Sequence, residues 1–151
     1  MQAGGDNIRP LTNPPRAAEW GAANLPFGDY DPRISPDGER VVFERLVNDQ
    51  SQHGNYDFFA LDIESAKEIR LTHSGYSQGL ASWSRSGKQI VYLVAAIEDA
   101  GQYDIYLMDA DGTDNRNITP AYFPPEFLCH WAIFSNDEAS IYFIGEWWVA
   151  E

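Results

Sequence analysis

Short apolar runs, each closed by a cluster of Gly, Pro, Asp, Asn or Ser, follow one another along the chain and predict strands joined by turns. The pattern is organised around Ile34-Ser35-Pro36-Asp37-Gly38-Glu39-Arg40-Val41-Val42-Phe43. It returns as Trp83-Ser84-Arg85-Ser86-Gly87-Lys88-Gln89-Ile90-Val91-Tyr92. A third copy, Phe134-Ser135-Asn136-Asp137-Glu138-Ala139-Ser140-Ile141-Tyr142-Phe143, keeps the turn and the strand, and the starts lie 49 and 51 residues apart. Pro36 presets φ for the turn and Gly38 relieves its corner, while the residues that follow are β-branched or aromatic and suit a strand.

Around the first copy, residues 31–73, strands are predicted at Arg33–Ser35, Val41–Val47, Tyr56–Asp62 and Glu68–Thr72. Around the second, residues 80–119, they fall at Ser82–Ser84, Gln89–Ala95, Tyr103–Asp109 and Asn115–Thr119. The third unit, residues 131–151, is partial: Trp131–Ser135, Ser140–Ile144, a two-residue turn at Gly145-Glu146, and a last strand at Trp147–Ala150. Its fourth strand is missing. Residues 4–12 offer one, because Gly4 to Thr12 follows the same turn-and-strand pattern as Gly112 to Thr119, and Pro10 is tolerated on an edge strand. Residues 13–30 read as a long loop with one helical turn at Arg16–Trp20, a candidate lid or interface element.

Four short strands recurring every 40–50 residues or so are the signature of a β-propeller blade, and a blade cannot bury its faces alone. The motifs resemble the TolB-type propeller repeats, bacterial relatives of the WD-type propellers. That blade carries an aromatic-Ser-Pro-Asp-Gly turn, an apolar strand, a Tyr/Asp-containing strand and a closing Leu-Thr. Ile34–Phe43, Tyr56–Asp62 and Leu71-Thr72 match it; so do Trp83–Tyr92, Tyr103–Asp109 and Ile118-Thr119. The third copy departs, with Asn136-Asp137-Glu138 in place of Pro-Asp-Gly. The resemblance covers about residues 31–151 and 4–12. It implies an all-β chain of four-stranded antiparallel blades, three per chain, in a single half-propeller domain over 1–151. Propellers have about four to eight blades. Three blades therefore predict a six-bladed homodimer, each chain lending residues 6–12 to the other's last blade; alternatively, the chain is a piece of a longer propeller. Ile8, Leu11, Trp147 and Trp148 are the expected interface residues.

Ten Lys and Arg against 23 Asp and Glu leave a net charge of −13, which disfavours nucleic acid or an anionic membrane and suits a basic protein face or a cation. With one cysteine, Cys129, no intrachain disulfide forms, so compartment is not legible from disulfide usage. Met1 to Asp6 lacks the basic and apolar regions of a secretory signal. The resemblance implies a periplasmic protein if a leader has been removed, and a cytoplasmic one otherwise.

The segments Asp29-Tyr30-Asp31, Gln78-Gly79 and His130-Trp131 precede the inner strand in each unit. In a ring they converge on one axial mouth, made acidic by Asp29, Asp31 and Glu126. By resemblance to TolB, this mouth of a non-catalytic scaffold binds a protein or peptide. The rival reading is a propeller hydrolase or lyase with a mouth site around His130 and Asp31, or the propeller of a peptidase; His53 and His73 are the other histidines. Cys129 and His130 are adjacent on a strand and face opposite ways, so they make no catalytic dyad. Asp109 to Asp114 has the acidic spacing of part of a calcium loop but lacks the distant Glu, and reads as a turn. No phosphate-cradling Gly loop, nucleophile elbow or Cys/His metal spacing occurs, and no cofactor is expected.

Overall fold

Each repeated turn is built on one serine hydroxyl that satisfies the backbone across the corner. A computed structural model of the chain describes residues 6, 8–21, 24, 26–48, 54–95, 103–124 and 127–147. Ser35 N–H donates to Arg40 O at 2.8 Å, Arg40 N–H donates to Ser35 Oγ at 2.9 Å, and Asp37 Oδ1 accepts from Ser35 Oγ and from Glu39 N–H. Ser84 and Gln89 repeat the exchange, as do Ser135, Asp137 and Ser140. The corner needs a left-handed residue, supplied by Gly38 (φ 78°) and Gly87 (φ 68°), and in the third copy by Glu138 (φ 59°). The departure at Glu138 has a use. Its carboxylate accepts from Ser86 N–H and, at 2.9 Å, from Ser86 Oγ, while Arg85 donates to Asn136 at 2.8 Å, tying the third turn to the second.

The turns separate strands β1 (Asp29–Ile34), β2 (Arg40–Asn48), β3 (Asn55–Asp62) and β4 (Glu68–Arg70), which form one antiparallel sheet in sequence order. The second unit repeats them as β5 (Ser77–Trp83), β6 (Gln89–Ala95), β7 (Tyr103–Asp109) and β8 (Arg116–Asn117). In the third, β9 (Leu128–Phe134) pairs with β10 (Ile141–Glu146). A single parallel pair, Tyr103↔Leu128, joins β9 to β7. The outer strands β4 and β8 are shorter than expected, and the inner strands β1, β5 and β9 begin three to five residues earlier. Among the described residues no helix is long and apolar enough to cross a membrane.

Strand alternation sends β6 residues to both sides. Ile90, Tyr92 and Val94 pack with Val42, Phe58, Ala60, Leu71, Ala81 and Met108 between units one and two; Val91 and Leu93 pack with Ile105, Leu107, Cys129 and Ala132 between two and three. The Tyr-Asp strand and the closing Thr lock each unit. Asp57, fully buried, accepts from Arg70 Nε at 3.0 Å, Thr72 Oγ1 at 3.2 Å and Gln78 Nε2 at 3.1 Å, while Phe58 N–H donates to Thr72 Oγ1. In the second unit Asp104 accepts from Asn117 and Ile105 N–H donates to Thr119. Asp57 thus ties its own outer strand to the inner strand of the next unit.

Three sequence expectations change. Gly145-Glu146 is not a turn: β10 runs through both, pairing Gly145 with Cys129 and Glu146 with Leu128. Gly145 is small because the Phe127 ring lies against it, 2.2 Å from where a Cβ would sit. Arg16 to Trp20 contains a turn, Glu19 N–H to Arg16 O at 3.0 Å, but Arg16 and Ala18 are left-handed (φ 57° and 67°), so it is not helical. Residues 18–19 then pair with Phe27, whose buried ring carries the Arg16 guanidinium at 3.8 Å. Residues 8–12 form no strand within the single chain. The last predicted strand, apart from Trp147, lies outside the described residues, as does the tip of the hairpin between β2 and β3.

Asp57→Ala leaves Arg70, Thr72 and Gln78 without their shared acceptor and is expected to lower stability by about 3–5 kcal/mol in urea unfolding. An effect near zero would show that the latch carries no stability. Gly112 (φ 89°) abuts Leu71, whose carbonyl oxygen would lie 2.6 Å from a new Cβ. Gly112→Ala is expected to cost about 2–4 kcal/mol, from backbone strain plus the displacement of Leu71.

Candidate functional site

The inner strands carry the same irregularity three times. Asp31-Pro32 faces the single residue Phe43, Leu80-Ala81 faces Tyr92, and Trp131-Ala132 faces Phe143, each a two-against-one β-bulge. The first bulge residue is left-handed every time, at φ 47° for Asp31, 59° for Leu80 and 48° for Trp131. None is glycine, and such conformations cost about 1–3 kcal/mol each and gather at functional places. An open groove of about 620 Å³ runs beside the bulges, lined from all three inner strands by residues that include Arg33, Ser82, Leu80, Trp131 and Ile133. Trp131 stands 59% exposed over it.

The predicted mouth residues divide sharply. Asp29 is consumed by Arg45, which donates to its two oxygens at 2.6 and 2.9 Å and also holds Glu68. Tyr30 donates its hydroxyl to Pro26 O and meets the Tyr56 ring edge-on, and burial raises its pKa. Gln78 is buried on Asp57, and its Oε1 has no protein partner. These three are framework. Asp31 is partly exposed beside Arg33 at 3.0 Å. His130 lies against Tyr103, with Nε2 4.0 Å from Glu146, so Asp31 and His130 keep separate partners. Glu126, Trp148 and His53 lie outside the described residues.

Cys129 is fully buried, facing away from His130, and burial pushes its thiol up to about 11, so it is not a thiolate near neutrality. Asp111 closes its own turn by accepting from Thr113 N–H at 3.0 Å and Oγ1 at 2.6 Å, a structural rather than a calcium-binding use. Among the described residues no group of three His, Cys, Asp or Glu is placed to hold a metal ion. Of the expected interface residues, Ile8, Leu11 and Trp147 are exposed, Trp147 stacked on Phe127 at 5.8 Å.

One functional candidate is absent from the sequence reading. Glu44, on β2, accepts the Leu80 bulge N–H at 2.8 Å across the unit boundary, and its Oε1 would lie 3.2 Å from a Cβ at position 79. Gly79 makes room for that carboxylate. Burial raises the Glu44 pKa to about 7, the Leu80 N–H opposes the rise, Asp31 adds to it and Arg33 opposes it. The signal was a charge in a strand whose counterpart, Leu93, is apolar; nothing in the sequence says that this position is buried.

Three successive four-stranded or partial units around a line of inner strands settle the architecture. The fold is a β-propeller. The chain superposes on TolB from Acinetobacter baumannii with a TM-score of 0.56 and 17% identity, over 78% of this chain and 27% of that one. It superposes on a puromycin hydrolase with a TM-score of 0.59 and 16% identity, over 85% of this chain and 21% of that one. The blades are thus TolB-like, and the chain spans about a quarter of these structures. No protein-family pattern matches the sequence.

The folded chain holds the Glu44 proton where the unfolded chain, near 4.5, has released it. Stability from this group is therefore complete below about pH 4.5, is lost as pH rises through about 7, and totals on the order of 3 kcal/mol. Glu44→Gln is expected to flatten the decline in unfolding free energy between pH 5 and 8 and to be the more stable chain at pH 8. Parallel profiles for the two chains would refute a raised Glu44.

Proposed function

We propose that this chain is a non-catalytic propeller scaffold that binds a protein or peptide segment along the axial side of its inner strands. The observation that carries it is the thrice-repeated left-handed bulge. The same strained backbone recurs at Asp31, Leu80 and Trp131, and Leu80 and Trp131 line one groove together with Arg33 and Ile34 of the first inner strand. A backbone distortion repeated purely for packing has no need of an exposed tryptophan, whereas aromatic anchors in grooves dominate protein recognition. The net charge of −13 favours a basic segment.

A second reading, the propeller part of a larger hydrolase, draws support from the similarity to the puromycin hydrolase. Under that reading the chain gates or positions substrate and the chemistry lies elsewhere. Burial of Cys129 and the separate partners of Asp31 and His130 speak against chemistry among these residues.

Panning a random peptide library against the 151-residue chain is expected to enrich basic segments carrying an apolar anchor. Trp131→Ala is expected to weaken the best of them at least ~30-fold in fluorescence polarisation. Binding that is unchanged in Trp131→Ala, or no enrichment at all, would remove the axial groove as a recognition surface.

A further inference from the structure

The polar latch of the first blade recurs in the second with its cation missing. Strand register places Asp104 where the first unit has Asp57, Asn117 where it has Arg70, and Cys129 where the following inner strand has Gln78. Thr119 stands for Thr72, each accepting the N–H of the residue after the aspartate. Around Asp57 the charge is neutralised: Arg70 pairs with it, and the same guanidinium lies 5.9 Å from the Phe59 ring centroid. Asp104 has only part of this. Asn117 Nδ2 donates to one of its oxygens at 3.1 Å, while Asn117 Oδ1 is occupied by Thr119 N–H at 2.8 Å. Cys129 replaces the donating Gln78 amide with a thiol that burial, and then the Asp104 charge, hold neutral. Among the described residues no Lys, Arg or His pairs with Asp104, and its second oxygen accepts no hydrogen bond.

The space beside this half-partnered carboxylate is open. A cavity of about 200 Å³ is lined by Asp104, by Asn117 in the place of Arg70, and by Thr119, Phe123 and Phe127. Pro120 and Pro124 form more of its wall and bring no N–H, so the cavity is richer in acceptors than in donors. The Phe123 and Phe127 rings stack with centroids 4.1 Å apart and supply its aromatic surface. We propose that this cavity binds the guanidinium of an arginine side chain from a basic partner segment, completing on Asp104 the latch that Arg70 completes on Asp57. A planar guanidinium matches a carboxylate with two parallel N–H donors, which an ammonium does not. The aromatic surface accepts the apolar stem and attracts the charge above it. The net charge of −13 draws a cation toward the site. The cavity shares no lining residue with the axial groove, so this site stands independently of the groove as a recognition surface.

Titrating the isotope-labelled chain with N-acetyl-arginine amide is expected to shift the amide NMR signals of Asp104, Asn117 and Thr119 with a Kd of about 1–10 mM. N-acetyl-lysine amide lacks the planar fork and methylguanidine lacks the stem, and each is expected to bind at least ~3-fold more weakly. Asp104→Asn is expected to weaken binding at least ~10-fold. Asn117→Arg supplies the guanidinium from within the chain, as Arg70 does in the first unit. It is expected to abolish binding and to raise the midpoint of urea unfolding, which keeps the test decisive if Asp104→Asn does not fold. Shifts confined to the Trp131 indole and the axial strands overturn the proposal while leaving the groove as a recognition surface. An absence of shifts well above the expected Kd overturns it too. So does binding that survives Asn117→Arg, or a lysine amide or methylguanidine that binds as tightly as the arginine amide.

Discussion

A sheet with two apolar faces has to be covered on both, and nearly every other feature of this chain follows from that requirement. β6 shows it most plainly, since Ile90, Tyr92 and Val94 leave on one side while Val91 and Leu93 leave on the other, and all five are buried. Burying a large apolar side chain is worth about 1.5–3 kcal/mol, so no single blade survives without its neighbours. Stacking is therefore not decoration on a stable unit. It is where the stability is.

Stacked sheets also need a means of holding register, and here polar groups do the work. Asp57 is fully buried yet meets donors from its own outer region, Arg70 and Thr72, and from the next blade, Gln78. A buried carboxylate so placed is tolerated only when its partners are all in position, which makes it a check on alignment between blades. At the opposite edge, Arg40 donates to Gly87 O at 3.2 Å and its guanidinium lies over the Trp83 ring, while Trp83 Nε1 donates to Arg33 O at 3.0 Å. The turn of the third blade dispenses with glycine at its corner and uses the freed side chain, Glu138, for the same kind of tie.

The bulges connect this framework to the proposed binding groove. An extra residue in each inner strand bends it locally, and the left-handed conformation it takes costs stability three times over. In the second blade the bulge is packed: Leu80 lies on the second cluster, and its N–H is capped by a Glu44 carboxyl that burial keeps partly protonated near neutrality. In the third blade the bulge carries a tryptophan in the open. One backbone device therefore serves a packed boundary and a surface suited to recognition, distinguished only by the side chain.

Repeated turns, strand composition and the Tyr-Asp and Leu-Thr pairs were enough to establish the repeat, the all-β class and the bounds of β6 and β7, because these depend on local turn chemistry and period-two alternation. The starts of β1, β5 and β9 were not legible, since a bulge interrupts alternation at Asp31, Leu80 and Trp131. Gly145 looked like a turn because glycine permits both a corner and a close approach, and only the Phe127 ring distinguishes them. Asp29 and Gln78 looked available for binding until Arg45 and Asp57 were found to hold them. Glu44 is illegible in the sequence for the converse reason: its altered acidity comes from burial against another blade. Period and turn are properties of neighbours along the chain, whereas burial, pairing and exposure belong to neighbours brought from about fifty residues away, and those the tertiary structure alone decided.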